Sequence, residues 1–174
     1  MRPAATWPRR WTSPALNNRD GILYGTFNLG LAEYLGGAPD AAKALFAESL
    51  DLARRMGTKR QIAYALLGLA VVGTGQAGHG WSALLHGASD QALADLGDTI
   101  EPLEKRLADL DRQRLRAAMG AEAFEAEYAA GRALDLARAA HQALQRIQAG
   151  REAPRAGTLV SEPDAAVSGR PRRC

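Results

Sequence analysis

Apolar side chains recur along this 174-residue chain at steps of three and four, the spacing of one helix face. Tyr24, Phe27, Leu31, Tyr34 and Leu35 predict a first helix from about Arg19 that stops at the Gly36-Gly37 pair. Pro39 then occupies a first helical turn, where its missing N–H costs nothing, and Leu45, Leu50, Leu52 and Met56 carry a second helix to Gly57. A third helix is expected over Lys59–Thr74 and a fourth over Trp81–Leu96, broken by Gly97 and Asp98. The fifth starts at Pro102 and ends at Gly120, with Leu103, Leu107, Leu110 and Leu115 as its apolar stripe. Phe124 and Tyr128 mark a short sixth helix over Glu122–Ala130. Asp135 caps a seventh, which carries Leu136, Ala140, Leu144 and Ile147 and stops at Gly150. The pattern therefore predicts an all-α domain over residues 19–149, between a Pro- and Arg-rich lead (1–18) and an aperiodic tail (150–174), both of which read as disordered.

Two segments repeat. "NLGLAEYLGG" and "LLGLAVVGTG" share the tetrapeptide LGLA, and both Gly30 to Gly68 and Gly37 to Gly75 span 38 residues. A period of this size predicts stacked helical hairpins, each covering its neighbour's apolar face. The same stretch contains GxGxxG at Gly73, Gly75 and Gly78, a spacing that cradles a pyrophosphate only between a strand and a helix. Its preceding segment, "YALLGLAVV", has only Val71 and Val72 as β-branched residues and favours helix, so Gly75 reads as a hairpin turn and not as a nucleotide loop.

Composition narrows the function classes. The net charge is +3, but residues 1–20 carry +3 and residues 150–174 carry +2, which leaves the core at about −2. Phosphate binding needs cations clustered on an ordered face, so the core reads as no direct DNA-binding domain. The lone Cys174 excludes an internal disulfide framework and fits a reducing compartment; no apolar run approaches the roughly 18 residues of a membrane span. The expectation is a cytoplasmic protein without membrane contact.

No catalytic, cofactor-binding or metal-ligating set emerges. His79 and His86 are seven apart and share a helix face only if the fourth helix begins before Gly80; His141 falls on the flank of the seventh. All three read as solvent-facing or core-edge histidines. Glu101, Glu104, Asp109 and Asp111 alternate with Lys105, Arg106, Arg112 and Arg114, a pattern that predicts a solvated face with i,i+4 pairs. The chain reads as non-enzymatic. Trp7 and Trp11 stand in the basic lead, where they either dock on the open end of the stack, form a recognition arm or remain disordered.

The repeats resemble those of tetratricopeptide proteins. Leu29-Gly30, the turn Gly37, Ala42, Phe46 and Ser49 match the family pattern in the first repeat; Tyr64, Leu67-Gly68, Gly75 and Leu84 match it in the second. Thr26, Glu33, Val71 and Gly80 depart from it, so the repeats are degenerate. Met119-Gly120, Phe124, Tyr128 and Gly131–Leu134 further resemble the end of the helical-repeat region in bacterial transcriptional regulators of the LuxR, MalT and AfsR type. The resemblance implies two tetratricopeptide-like hairpins plus a three-helix C-terminal cap. In this family the first helix of each pair lines a concave groove, which here implies that Tyr24, Phe27, Leu31, Tyr34, Ile62, Leu69 and Val72 hold a protein or peptide partner; the alternative weighed for them is packing within the same chain. The implied function is a protein-interaction module, with an open hairpin face available to a partner or to a second copy of the chain. The competing reading is a regulatory fragment of a LuxR-family regulator that works with separate NTPase and DNA-binding parts.

Overall fold

A computed structural model describes residues 18–73 and 78–152. They form seven helices: α1 Asn18–Leu35, α2 Pro39–Met56, α3 Lys59–Gly73, α4 His79–Asp95, α5 Pro102–Met119, α6 Ala121–Arg132 and α7 Leu136–Glu152. The protein is all-α, with no strand among the described residues. The lead with Trp7 and Trp11, the turn at Gly75 and the tail with Cys174 lie outside them.

Glycine and proline set the boundaries as the pattern indicated. Gly37, Gly57 and Gly97 each take positive φ, and in each turn the following N–H reaches back five residues: Ala38 to Glu33 O (2.9 Å), Thr58 to Ala53 O (3.0 Å) and Asp98 to Leu93 O (3.0 Å). These are Schellman closures, which satisfy the last carbonyls of α1, α2 and α4 and are open to glycine because it has no Cβ. Asp135 caps α7 by accepting from the N–H groups of Ala137 (2.9 Å) and Arg138 (3.1 Å). Three helices differ from the expectation by two residues or more: α6 covers Ala121–Arg132 and so continues past Ala130, and the other two are α4 and α7. α4 begins at His79, two residues earlier, because Gly78 at φ 88° serves as its N-cap; α7 runs through Gly150 to Glu152.

Helices α1 to α4 pack in chain order as antiparallel neighbours, α6 lies against α4, and α7 runs back across α2, α3 and α4. That leaves α3 at the centre, where every residue from Gln61 to Gly73 is buried. Phe46 of α2 anchors the first three helices. A methyl group on Gly30 would come within 2.7 Å of its ring and one on Gly68 within 2.6 Å, so the repeated glycine of the two LGLA segments admits the same ring from two sides. Phe27 completes this cluster, 5.4 Å from Phe46 and edge-on to Tyr64 at 5.7 Å between centroids. A second, smaller core of Ala83, Leu115 and Phe124 joins α4, α5 and α6.

The faces that turn inward correct the sequence reading in places. On α1 they are Leu23, Phe27, Gly30 and Leu31, while Tyr24 and Leu35 face solvent. On α2 they include Ala42, Phe46, Ser49, Leu50 and Ala53, with Leu45, Leu52 and Met56 only half-buried. The largest departure is α5, whose buried face is Glu104, Ala108, Asp111 and Leu115. Leu103 and Leu110 point outward, because what α5 meets on α4 is a polar partner.

Candidate functional site

That polar partner is His86. Its Nε2 lies 2.8 Å from Asp111 Oδ2, with both side chains closed off from water. Donation to the carboxylate puts the proton on Nε2, and Nδ1 then has no hydrogen-bond partner among the described residues. One helical turn along α4, Asp90 receives the Arg112 guanidinium and, at 2.7 Å, the Tyr128 hydroxyl. Arg112 also reaches Asp109 Oδ1 at 3.0 Å, and Arg132 donates through Nε and Nη2 to Gln91 Oε1 at 3.0 and 2.8 Å. Burial raises the Tyr128 hydroxyl to a pKa of about 12, aided by its hydrogen bond to the Asp90 carboxylate. These groups form a polar seam that fastens α5 and α6 onto α4.

The seam overturns two expectations. His86 is a fully buried member of a hydrogen-bonded pair and not a surface or edge histidine, although His79 on the same helix is exposed. Asp111 and Glu104 belong to the interior and not to a solvated face, while Lys105, Asp109 and Arg106 do face water as expected. The chemistry this geometry supports is positional: with His86 and Asp111 sealed between α4 and α5, a substrate reaches them only if α5 lifts. Among the described residues no group of three or more His, Cys, Asp or Glu side chains is arranged to hold a metal ion, and no helix is long and apolar enough to cross a membrane.

The seven residues expected to line one groove are dispersed. Phe27, Leu31, Ile62, Leu69 and Val72 are core residues, packed within the chain as the alternative reading had it, and so are not a surface for a partner. The physical reason is that α3 is enclosed on every side and α1 turns its aromatic face onto Phe46 and Tyr64. Phe27, Leu31 and Tyr34 do come together with Leu67, Val71, Glu104 and Leu107, around a gap of only about 10 Å³ that holds at most one water. Ile62 and Leu69 border two other clefts, one at the α3–α4–α6–α7 corner and one beneath α7.

Two accessible apolar strips remain beside the closed gap. On α1, Tyr24 is 45% and Leu35 57% exposed; on α5, Leu103 is 46% and Leu110 43% exposed, flanking Leu107, which packs on the main core, while Leu115 of the same stripe lies in the smaller one. Arg106 and Arg114 stand three or four residues from these leucines on the same side of α5, and neither has an ion pair among the described residues. Sequence periodicity finds the leucine stripe, and the structure divides it: Leu107 and Leu115 pack inward while Leu103 and Leu110 face solvent.

No protein-family model matches the chain, and neither the curated proteins nor the solved structures contain a match to it.

Proposed function

We propose that the chain is a non-enzymatic protein-interaction module of tetratricopeptide type, related to the sensing region of LuxR-like bacterial regulators and working in the cytoplasm. The observation that carries the reading is the stripe on α5: two leucines of one helix face left nearly half exposed, bordered by two arginines that have no ion pair among the described residues. Burying such leucines is worth about 1.5–3 kcal/mol each at full coverage, so a partner helix with apolar residues at matching spacing gains most of its affinity there. Acidic residues on its flank pair with Arg106 and Arg114, which sets orientation and on-rate more than affinity. The approach of Gly30 and Gly68 to the single ring of Phe46 supports the repeat reading, since two positions 38 residues apart both make close contact with the side chain between them.

The test is site-specific photo-crosslinking from position 110 in the cells that make the protein. A discrete adduct that disappears when Leu103 is replaced by Glu supports docking on α5, and its mass separates a foreign partner from a second copy. An adduct that persists in Leu103→Glu, or none, removes the stripe as the docking surface.

A further inference from the structure

Glu104 is a buried charge that the polar seam does not account for. Its side chain is only 9% exposed, and it has no hydrogen bond or ion pair among the described residues. Burying a charge is costly unless it is paired, so such a group asks for an explanation. A glutamate in the first turn of a helix ordinarily reaches back to the N-cap N–H. Here that donor, on Glu101, goes to the Tyr64 hydroxyl at 3.2 Å. Arg60, which approaches the same end of α5, is paired with Asp98 and Glu101, and Lys105 is paired with Asp109. The positive end of the α5 dipole favours a carboxylate at this position without forming a bond to it.

What Glu104 lines is the gap between α1 and α5, whose other lining residues are apolar, aromatic or glycine. Leu67 and Val71 come from α3 beneath it, and Phe27 and Tyr34 bring rings from α1. The gap measures only about 10 Å³ as it stands. However, α1 and α5 each pack on α3 with little direct contact between them, and Tyr34 and Leu107 at its sides are half-buried.

We propose that this gap opens, by rotamer changes of Tyr34 and Leu107, to take one unbranched alkylammonium group, either a small free amine or the side chain of a lysine. The ammonium supplies the donors that Glu104 lacks, in charge-assisted hydrogen bonds about twice as strong as neutral ones. Its aliphatic stem lies against Leu67, Val71 and Leu107, and the rings of Phe27 and Tyr34 add cation–π attraction. An alcohol of the same length offers Glu104 one neutral donor and a carboxylate offers none, so both bind less well. The site needs no docked partner and stands or falls independently of the leucine stripe.

The test is a titration of the chain, carrying labelled leucine and valine methyl groups, followed by NMR with n-butylammonium, Nα-acetyl-lysine methylamide, 1-butanol and butyrate. The proposal expects saturable shifts at the Leu67, Val71 and Leu107 methyls with at least one of the two amines. The tighter of them identifies a free amine or a lysine as the source, and 1-butanol and butyrate bind at least tenfold more weakly. Glu104→Gln and Glu104→Leu each remove an unpaired charge and strand no partner, so both are expected to keep the parent helicity and to weaken the amine by tenfold or more. Absence of saturable shifts at these methyls with either amine, equal binding of the alcohol or the carboxylate, or undiminished amine binding by a folded Glu104 variant overturns the proposal.

Discussion

Replacing Gly87 by Ala tests how α6 is seated on α4. A Cβ at Gly87 would stand 2.0 Å from the Tyr128 carbonyl oxygen, and one at Gly131 would stand 1.9 Å from that of Leu84. Both neighbours are backbone, so no rotamer change relieves the overlap; α6 must retreat by about 1 Å before even a 3.0 Å contact is restored. A gap of that size forfeits roughly a quarter to a half of the attraction across the interface. It falls on the fully buried Phe124, whose burial is worth about 1.5–3 kcal/mol, so about 1 kcal/mol is lost there. Overpacking against a fixed backbone costs a further ~1–3 kcal/mol. Alanine returns about 1 kcal/mol of helix propensity. The net expectation for Gly87→Ala is a loss of about 2 kcal/mol, or roughly 4–8 °C in Tm for a chain of this size. Gly25→Ala on the outer face of α1, where a Cβ meets nothing within 4 Å, is the control and is expected to gain up to about 1 kcal/mol. Thermal and urea unfolding followed by far-UV circular dichroism decides the matter. A Gly87→Ala protein that melts at or above the parent temperature refutes the close crossing.

Three further outcomes follow from the packing. Gly68→Ala, which forces a methyl group against the Phe46 ring, is expected to cost about 1–3 kcal/mol in urea melts, and Phe46→Leu in the same chain to recover part of it; equal losses in the presence and absence of Phe46 contradict the contact. Asp111→Leu strands His86 without its acceptor and is expected to lose about 3–5 kcal/mol, while the His86→Leu/Asp111→Leu pair loses less than the single change; a double-mutant cycle with no coupling sinks the buried pair. Because the folded protein holds the Tyr128 proton up to a pKa of about 12 against about 10 in the unfolded chain, stability is full below pH 10 and declines as pH rises through 12. Tyr128→Phe is expected to flatten that alkaline limb, seen as denaturation midpoints at pH 9, 10 and 11, and an unchanged slope contradicts the assignment.

Much of the architecture was legible because it is written in backbone chemistry. Pro39, Pro102, Gly37, Gly57 and Gly97 act through φ and missing N–H groups, which are local properties, and the Asp135 cap is set within three residues. GxGxxG was likewise read by its context: Gly73 ends a helix, so the motif follows no strand. What sequence could not show was pairing at a distance. The inward face of α5 is set by His86, 25 residues upstream, and a periodicity count weights Leu103 and Leu110 above Glu104 and Asp111 because it does not know that the facing group is an imidazole. The close contacts of Gly87 and Gly131 carry no sequence signal, since a helix glycine in close contact and one in open solvent look alike until the partner backbone is placed. Five of the seven expected groove residues lie in the core for a related reason: apolar residues on a helix face are equally suited to a docking surface and to the core, and the enclosure of α3 decides for those five.

The proposed docking surface is the exposed leucine stripe of α5. Photo-crosslinking from position 110, compared in one experiment with crosslinking from the exposed Ala94 at the end of α4, tests it most directly. A docking surface on α5 gives a discrete adduct from position 110 that Leu103→Glu abolishes and no comparable adduct from position 94. Equal adducts from both positions, or none from position 110, would contradict it.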